Sequence, residues 1–209
     1  MDYNLDSFVS SLLDVGANAG NFSVDFKNRY KATCVCLEPS IAHIPRLRDL
    51  GFETYNVGAS NFTGTKKFYI NTSNPGSTGN SFYTEQTIHY ENNTTEVEIP
   101  VVKLDDFFEG RTFDFIKVDT QGSEYDIVDG ARKLISKCKY LLIEVPFFSF
   151  NKGAKLAHEV IPLITSLGLV PYSFPEFHKA VPKHFPGYFT DKFNDMFITH
   201  MDILWKNPK

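Results

Sequence analysis

Acidic side chains close or directly follow three apolar runs in this chain: Asp14 ends Leu12-Leu13-Asp14, Glu38 follows Cys34-Val35-Cys36-Leu37, and Asp119 ends Phe115-Ile116-Lys117-Val118-Asp119. After the first run comes Gly16-Ala17-Asn18-Ala19-Gly20, and then Asn21-Phe22-Ser23-Val24-Asp25-Phe26 with apolar residues at helical spacing. Strand, glycine turn and helix start in that order bring backbone close to a ligand. A dinucleotide fingerprint needs G-x-G-x-x-G, so that a pyrophosphate can sit on the helix N-terminus. Here the spacing is G-x-x-x-G, and Asn18 stands where the second glycine should be. The charge of Asp14 repels a pyrophosphate but attracts an ammonium. The pattern therefore points to a nucleoside-bearing ligand with an amino-acid tail; an ordinary strand-to-helix turn capped by Asn and Gly is the plainer alternative.

The elements that must position these acids alternate between strand and helix. Strands are expected at 32–37 and 52–57, with a helix over 41–50 that aligns Ile41, Ile44, Leu47 and Leu50 on one face. Asp14, Glu38 and Asn56 then lie at the C-terminal ends of three strands of a doubly wound sheet, where such folds bind ligands. Segments 64–70 and 96–102 read as antiparallel strands flanking a polar insert, 71–93, which is either a lid or a surface loop. A short helix over 104–108 precedes a fourth core strand ending at Asp119. Ser123 and Asp126 are spaced as a capping box for a helix running to about 135. A strand over 140–145, a helix over 154–167 and a strand over 168–174 follow. The last strand, 194–205, has only a loop before it and should return antiparallel beside the sixth.

The bulk numbers fit one α/β domain over residues 1–209. The chain has 209 residues, 42% hydrophobic and 22% charged, which is ordinary globular composition. No apolar run reaches membrane-spanning length. The N-terminus lacks a basic region and an apolar core, so a cytoplasmic protein is expected. A net charge of -4 without a Lys/Arg block argues against nucleic acid as the main partner. Cys34 and Cys36 share one face of an apolar strand, and Cys138 begins another; buried structural thiols are expected, and no metal-ligand motif is evident.

A seven-stranded, mostly parallel, Rossmann-like sheet with helices on both faces and an antiparallel last strand resembles the class I S-adenosylmethionine-dependent methyltransferases. More narrowly, the chain resembles the FkbM family. The resemblance rests on Asp14-Val15-Gly16-Ala17-Asn18-Ala19-Gly20, Leu37-Glu38-Pro39, Lys103-Leu104-Asp105-Asp106-Phe107, Phe115 through Glu124, Leu142-Ile143-Glu144-Val145 and Asn194-Asp195-Met196-Phe197. The family usually reads I-K-I-D-V-E-G-x-E around Asp119, and this chain has Gln121 where the glutamate is usual.

The resemblance implies that Asp14 and the turn of Gly16, Ala17, Asn18 and Gly20 hold the methionine part of S-adenosylmethionine. It implies that Glu38, followed by Pro39, accepts both ribose hydroxyls, and that Asn56 and Val57 border the adenine. Asp119 would bind the methionine ammonium, orient the acceptor or act as base; capping the next helix is the plainer role. A carboxylate needs burial to become a useful base for an alcohol. Glu144, at the next strand end, competes for that role or partners a nearby cation. His178 belongs to a residue type suited to proton abstraction at neutral pH. It falls in an expected loop, 174–193, with Lys179, Lys183 and His184. With Phe147-Phe148-Ser149-Phe150 that loop would wall an acceptor pocket, its cations suited to an anionic acceptor; a solvated loop is the alternative. The implied activity is O-methylation of a hydroxyl on a sugar, glycan or secondary metabolite. RNA or protein methylation, and a catalytically inactive binding module, are the competing readings.

Overall fold

The computed structural model describes residues 3–86, 90, 93–180 and 197–209. Its elements run β1 (Ser11–Val15), α1 (Asn21–Tyr30), β2 (Thr33–Leu37), α2 (Ile44–Asp49), β3 (Glu53–Tyr55), β4 (Gly58–Ser60), β5 (Gly64–Asn71), β6 (Thr94–Lys103), α3 (Leu104–Phe107), β7 (Phe115–Val118), α4 (Glu124–Gly130), α5 (Arg132–Ile135), β8 (Tyr140–Pro146), α6 (Ala157–Ser166), β9 (Val170–Ala180) and β10 (Phe197–Lys206). Seven strands form one sheet in the order β3-β2-β1-β7-β8-β10-β9. β1, β2, β3, β7 and β8 are mutually parallel, while β10 pairs antiparallel with both β8 and β9.

Strand side chains alternate between faces, and the core divides accordingly. Leu13, Val15, Ile116, Val118, Leu141 and Ile143 face α4, α5 and α6. Leu12, Cys34, Cys36, Phe115, Tyr140 and Leu142 face α1 and α2. Fully burying each of these large apolar side chains contributes about 1.5–3 kcal/mol. The second face carries the chemistry. One step past its last apolar residues, toward the strand C-termini, stand Asp14, Lys117 and Glu144.

Beside the main sheet lies a smaller one, ordered β4-β6-β5, in which β5 and β6 are antiparallel and β4 is parallel to β6. The antiparallel pair matches the sequence reading, whereas β4 carries no pattern that separates it from the preceding loop. Gly130 ends α4 directly against β4: a Cβ there would come 2.2 Å from the Ser60 carbonyl oxygen.

Several sequence expectations need correction. The helix expected over 41–50 begins at Ile44, because Pro45 presets its first turn, and Ile41 is 69% exposed instead of sharing the buried face. The helix expected to reach 135 breaks at Ala131, and α5 starts afresh because Asp105 accepts hydrogen bonds from the Lys133 and Leu134 amides. That cap comes from α3 and cannot be read locally. Ser123 makes no capping hydrogen bond. α6 begins at Ala157, not 154. The sixth strand runs on to Ala180, so His178 and Lys179 lie in β9 and not in a loop. Lys183 and His184 lie outside the described residues.

Gly130→Ala should destabilise the protein by about 1–3 kcal/mol, the usual cost of overpacking, read as a lower urea midpoint with an unchanged slope. A variant as stable as the parent would contradict the close approach of α4 to β4.

Candidate functional site

The glycine turn takes its shape from one close contact. Gly16 has φ 81°, and a Cβ there would lie 2.1 Å from the Asp119 carbonyl oxygen, so β1 and β7 can converge only around a residue without a side chain. The amides of Gly16 and Ala17 donate to the Leu37 carbonyl at 3.0 and 3.1 Å. Asn18 follows with φ 48°, and Gly20, at φ 81°, leads into α1. The Asn18 amide donates to Glu38 Oε2 at 2.8 Å, and the Ser40 amide donates to Glu38 Oε1 at 2.7 Å. Glu38 is buried, and that burial pushes its carboxyl up to about 7 despite both donors. Asn56 spends its side-chain amide on the backbone oxygens of Glu38 and Pro39, 2.9 Å each. It braces the Glu38-Pro39 turn and does not line the cavity; Val57, its neighbour, does.

That cavity holds about 80 Å³ of interior space and is partly open to solvent. Gly16, Asn18, Glu38 and Pro39 form one wall and Asp119 through Gln121 another. The 71–93 insert supplies Ser77, Thr78, Asn80 and Phe82 as a third. It is fastened to the core: Ser81 Oγ donates to the Gln121 carbonyl at 2.5 Å and the Tyr83 hydroxyl to Asp126 at 2.8 Å.

In the adjoining cleft, Lys117 sits between two carboxylates, 3.4 Å from Asp14 Oδ1 and 3.2 Å from Asp119 Oδ2. Asp14 is fully buried and also accepts from Ser23 Oγ at 2.7 Å. Its carboxylate faces Lys117 and not the cavity, so any influence on a ligand passes through that ammonium. Burial alone would raise the Asp119 carboxyl, but the Lys117 charge and hydrogen bond, with Gln121, outweigh it and hold Asp119 below the usual carboxylate range. The same two carboxylates overcome burial at Lys117 and raise its ammonium.

Gln121, at φ 57°, spans two acids: its Nε2 donates to Glu144 Oε2 at 2.9 Å and to Asp119 Oδ1 at 3.3 Å. An amide in place of the usual glutamate turns a third negative charge into a bridge. The next turn is held by Glu124, which accepts from the Thr120 and Gly122 amides at 3.0 and 2.9 Å. This carboxylate fixes the turn that leads into α4, while the Ser123 side chain makes no cap.

Beyond Gln121, Glu144 Oε1 lies 3.0 Å from His200 Nε2, and the His200 ring stacks on His178 at 4.2 Å between centroids. Phe150 meets His200 edge-on at 5.6 Å. Burial, then the nearby Asp119 and Glu124 charges, push the Glu144 carboxyl well above its usual range. Burial and His178 depress the His200 imidazole to about 4, and burial with Asp119 raises Asp202 to about 6. His178 Nε2 stands 3.9 Å from Asp202 Oδ1. Phe148 and Phe150 border the cleft beside Glu144 and His200, whereas Phe147 is exposed. The structure thus brings Asp119, Glu144 and His178 to one cleft. Sequence reading passed over Lys117 and His200. Both were legible by alternation, since Lys117 and His200 fall on the same sheet face as Phe115 and Leu204.

The residues fit S-adenosylmethionine. Glu38 offers two acceptor oxygens, as a ribose diol requires. His43 Nε2 and Ser123 Oγ, buried at the cavity wall, have no hydrogen-bond partner among the described residues, as expected of atoms reserved for a ligand. The adjoining cleft holds Asp119, Glu144, Glu176 and Asp202 against Lys117, an excess of acid suited to a sulfonium and an ammonium. Such a fold and site define an S-adenosylmethionine-dependent methyltransferase. The sequence profile of the methyltransferase FkbM domain matches residues 14–170, and the chain belongs to that family. No curated protein sequence matches it significantly. Similar solved structures include a Thermotoga maritima S-adenosylmethionine-dependent methyltransferase, described as a possible histamine N-methyltransferase (14% identity, 98% of this chain and 84% of that one, TM-score 0.46). Another is a Geobacter metallireducens precorrin-6y C5,15-methyltransferase (11% identity, 97% and 81%, TM-score 0.45). A third is M. capricolum TrmK in complex with S-adenosylhomocysteine (8% identity, 99% and 66%, TM-score 0.48).

Two predictions follow from this geometry. Lys117→Met strands Asp14 without its cation and should cost about 3–5 kcal/mol of stability by chemical denaturation; a loss below about 1 kcal/mol would contradict a buried Asp14–Lys117 pair. An ionised Glu38 accepts a diol better than a protonated one, so S-adenosylhomocysteine affinity should rise roughly tenfold from pH 6 to pH 8, through the Glu38 value of about 7. Calorimetry on Glu38→Gln should show weaker binding with that rise removed.

Proposed function

We propose that the protein transfers the methyl group of S-adenosylmethionine to a hydroxyl of a sugar, glycan or secondary metabolite. The observation that supports this reading is the wall of hydrogen-bond acceptors, Glu144, His200 and His178, next to Asp119 where the cofactor cleft opens. On this reading the turn of Gly16, Ala17, Asn18 and Gly20 holds the methionine part, Glu38 and Pro39 the ribose, and Val57 the adenine. Asp14 and Asn56 act one step removed, through Lys117 and through the Glu38-Pro39 backbone.

The bound cofactor supplies a methyl group on a positively charged sulfur, which an acceptor oxygen displaces in line. The protein's tasks are alignment and exclusion of water. Asp119, kept ionised by Lys117, orients the acceptor by accepting a hydrogen bond and is poorly suited to remove a proton. Glu144, braced by Gln121 and His200, receives the hydroxyl proton. His178 lies on the outer side of that wall and contacts the acceptor. The insert over the cavity serves as a lid. Carboxylates Glu176 and Asp202 along the same cleft favour a neutral hydroxyl acceptor over an anionic one, and count against RNA.

Incubation with methyl-labelled cofactor and separate pools of glycans and small metabolites, RNA and protein tests this reading. Label should enter the first pool in alkali-stable form. Glu144→Gln should lower turnover by about 10²–10⁴-fold, the range for a lost general base, while still binding S-adenosylhomocysteine. Label in RNA or protein would replace the acceptor assignment, and cofactor binding without turnover on any pool would favour a binding module.

A further inference from the structure

We propose that Glu144, His178 and His200 bind one divalent first-row transition-metal ion at the acceptor end of the cleft, through one carboxylate oxygen and two imidazole nitrogens. Each residue offers a ligand atom, and these atoms all lie within 4.8 Å of one another. Metal–nitrogen and metal–oxygen bonds of about 2.0–2.2 Å place two ligands of one ion at most roughly 4.2 Å apart, so small side-chain shifts close the site. Glu144 Oε1 and His200 Nε2 are already 3.0 Å apart.

The surroundings orient these atoms as an outer shell does. Gln121 Nε2 donates to Glu144 Oε2 at 2.9 Å and so leaves Oε1 free to turn toward an ion. Thr199 Oγ1 lies 3.1 Å from His200 Nδ1 and leaves Nε2 on the cleft side. Partners on the non-ligating atom of this kind set ligand orientation. His178 stands directly opposite His200 in the β9–β10 register, and Glu144 opposes Asp202, one residue pair further along β10. Three strands far apart in sequence thus deliver three ligands to one point, which explains why no spacing motif announces them.

The charge around this point also calls for a cation. Asp119, Glu176 and Asp202 line the same cleft, against the single ammonium of Lys117 among its described residues. Two imidazoles and one carboxylate suit zinc, iron, cobalt or manganese, whereas magnesium and calcium prefer all-oxygen sets. Three protein ligands leave a coordination position open. The side chains are 12%, 33% and 19% exposed for Glu144, His178 and His200, so the point remains reachable from solvent. A hydroxyl bound at the open position would become more acidic; that consequence rests on the acceptor reading above, whereas metal binding does not.

The test is titration of chelator-treated full-length protein with Zn²⁺ by calorimetry and with Co²⁺ by visible absorption. One equivalent should bind, and Co²⁺ should develop d–d bands. Glu144→Gln, His178→Ala and His200→Ala should each weaken binding at least about tenfold. His158→Ala, at an exposed histidine elsewhere, should leave binding unchanged. Thermal melts establish that each variant folds, and His178→Ala, on the edge strand, carries the test if the more buried substitutions do not fold. Absence of saturable binding for both metals, or binding that His178→Ala leaves intact, overturns the proposal. S-adenosylhomocysteine binding measured on the same samples separates this failure from failure of the methyltransferase reading.

Discussion

Lys117 is the constraint around which the site is arranged. Its ammonium lies buried between Asp14 on β1 and Asp119 at the end of β7, under the ring of Phe22 at 5.3 Å. Taking the Lys117 and Asp14 charges out of water is costly, and the cost is offset only while the two stay paired, with the partly exposed Asp119 as the second partner of the ammonium. The triad therefore ties two adjacent strands at the level where the glycine turn opens, and it decides the charge state of Asp119. Burial, and then the Asp119 charge, make Glu144 and Asp202 hold protons above the usual carboxylate range. Such a cleft is prepared for a positively charged ligand.

A second layer of organisation follows from strand alternation. On the face toward α1 and α2, each parallel core strand runs apolar and then turns polar at its C-terminal end: Leu12 then Asp14, Phe115 then Lys117, Leu142 then Glu144. The returning strand does the reverse, with His200 and Asp202 ahead of Leu204. Register lines these positions up across the sheet, Asp14 beside Lys117 in the parallel β1–β7 pair and Glu144 beside Asp202 in the antiparallel β8–β10 pair. A polar row thus crosses the top of an otherwise apolar face, and α1, entered through Gly20, covers its Asp14–Lys117 end with Ser23 and Phe22. The ligand side of the sheet is fixed by where the apolar pattern ends.

Much of this was legible in the sequence because it depends on local periodicity. The glycine turn, the acids at strand ends, the parallel core and the antiparallel last strand follow from patterns within a few residues. What the sequence hid depends on partners distant along the chain. Asp105 restarts a helix at Arg132, which no residue near 132 announces. Asp14 reads from the sequence as a ligand contact, and in the structure Lys117 faces it. Gln121 looked like a lost carboxylate, and its position between Asp119 and Glu144 shows a bridge that a glutamate could not make without protonation. His178 was noticed for its chemistry but placed in a loop, since Pro171 and Pro175 mask a strand that is held at the sheet edge by β10 alone.

The account turns on a nucleoside seated between the glycine turn and Glu38, with its sulfur directed toward Asp119 and Glu144. A crystal structure with S-adenosylhomocysteine bound tests this most directly. Both ribose hydroxyls should lie within hydrogen-bond distance of the Glu38 carboxylate, and the sulfur should face the Asp119–Gln121–Glu144 bridge. A nucleoside bound elsewhere, or a ribose turned away from Glu38, would contradict it.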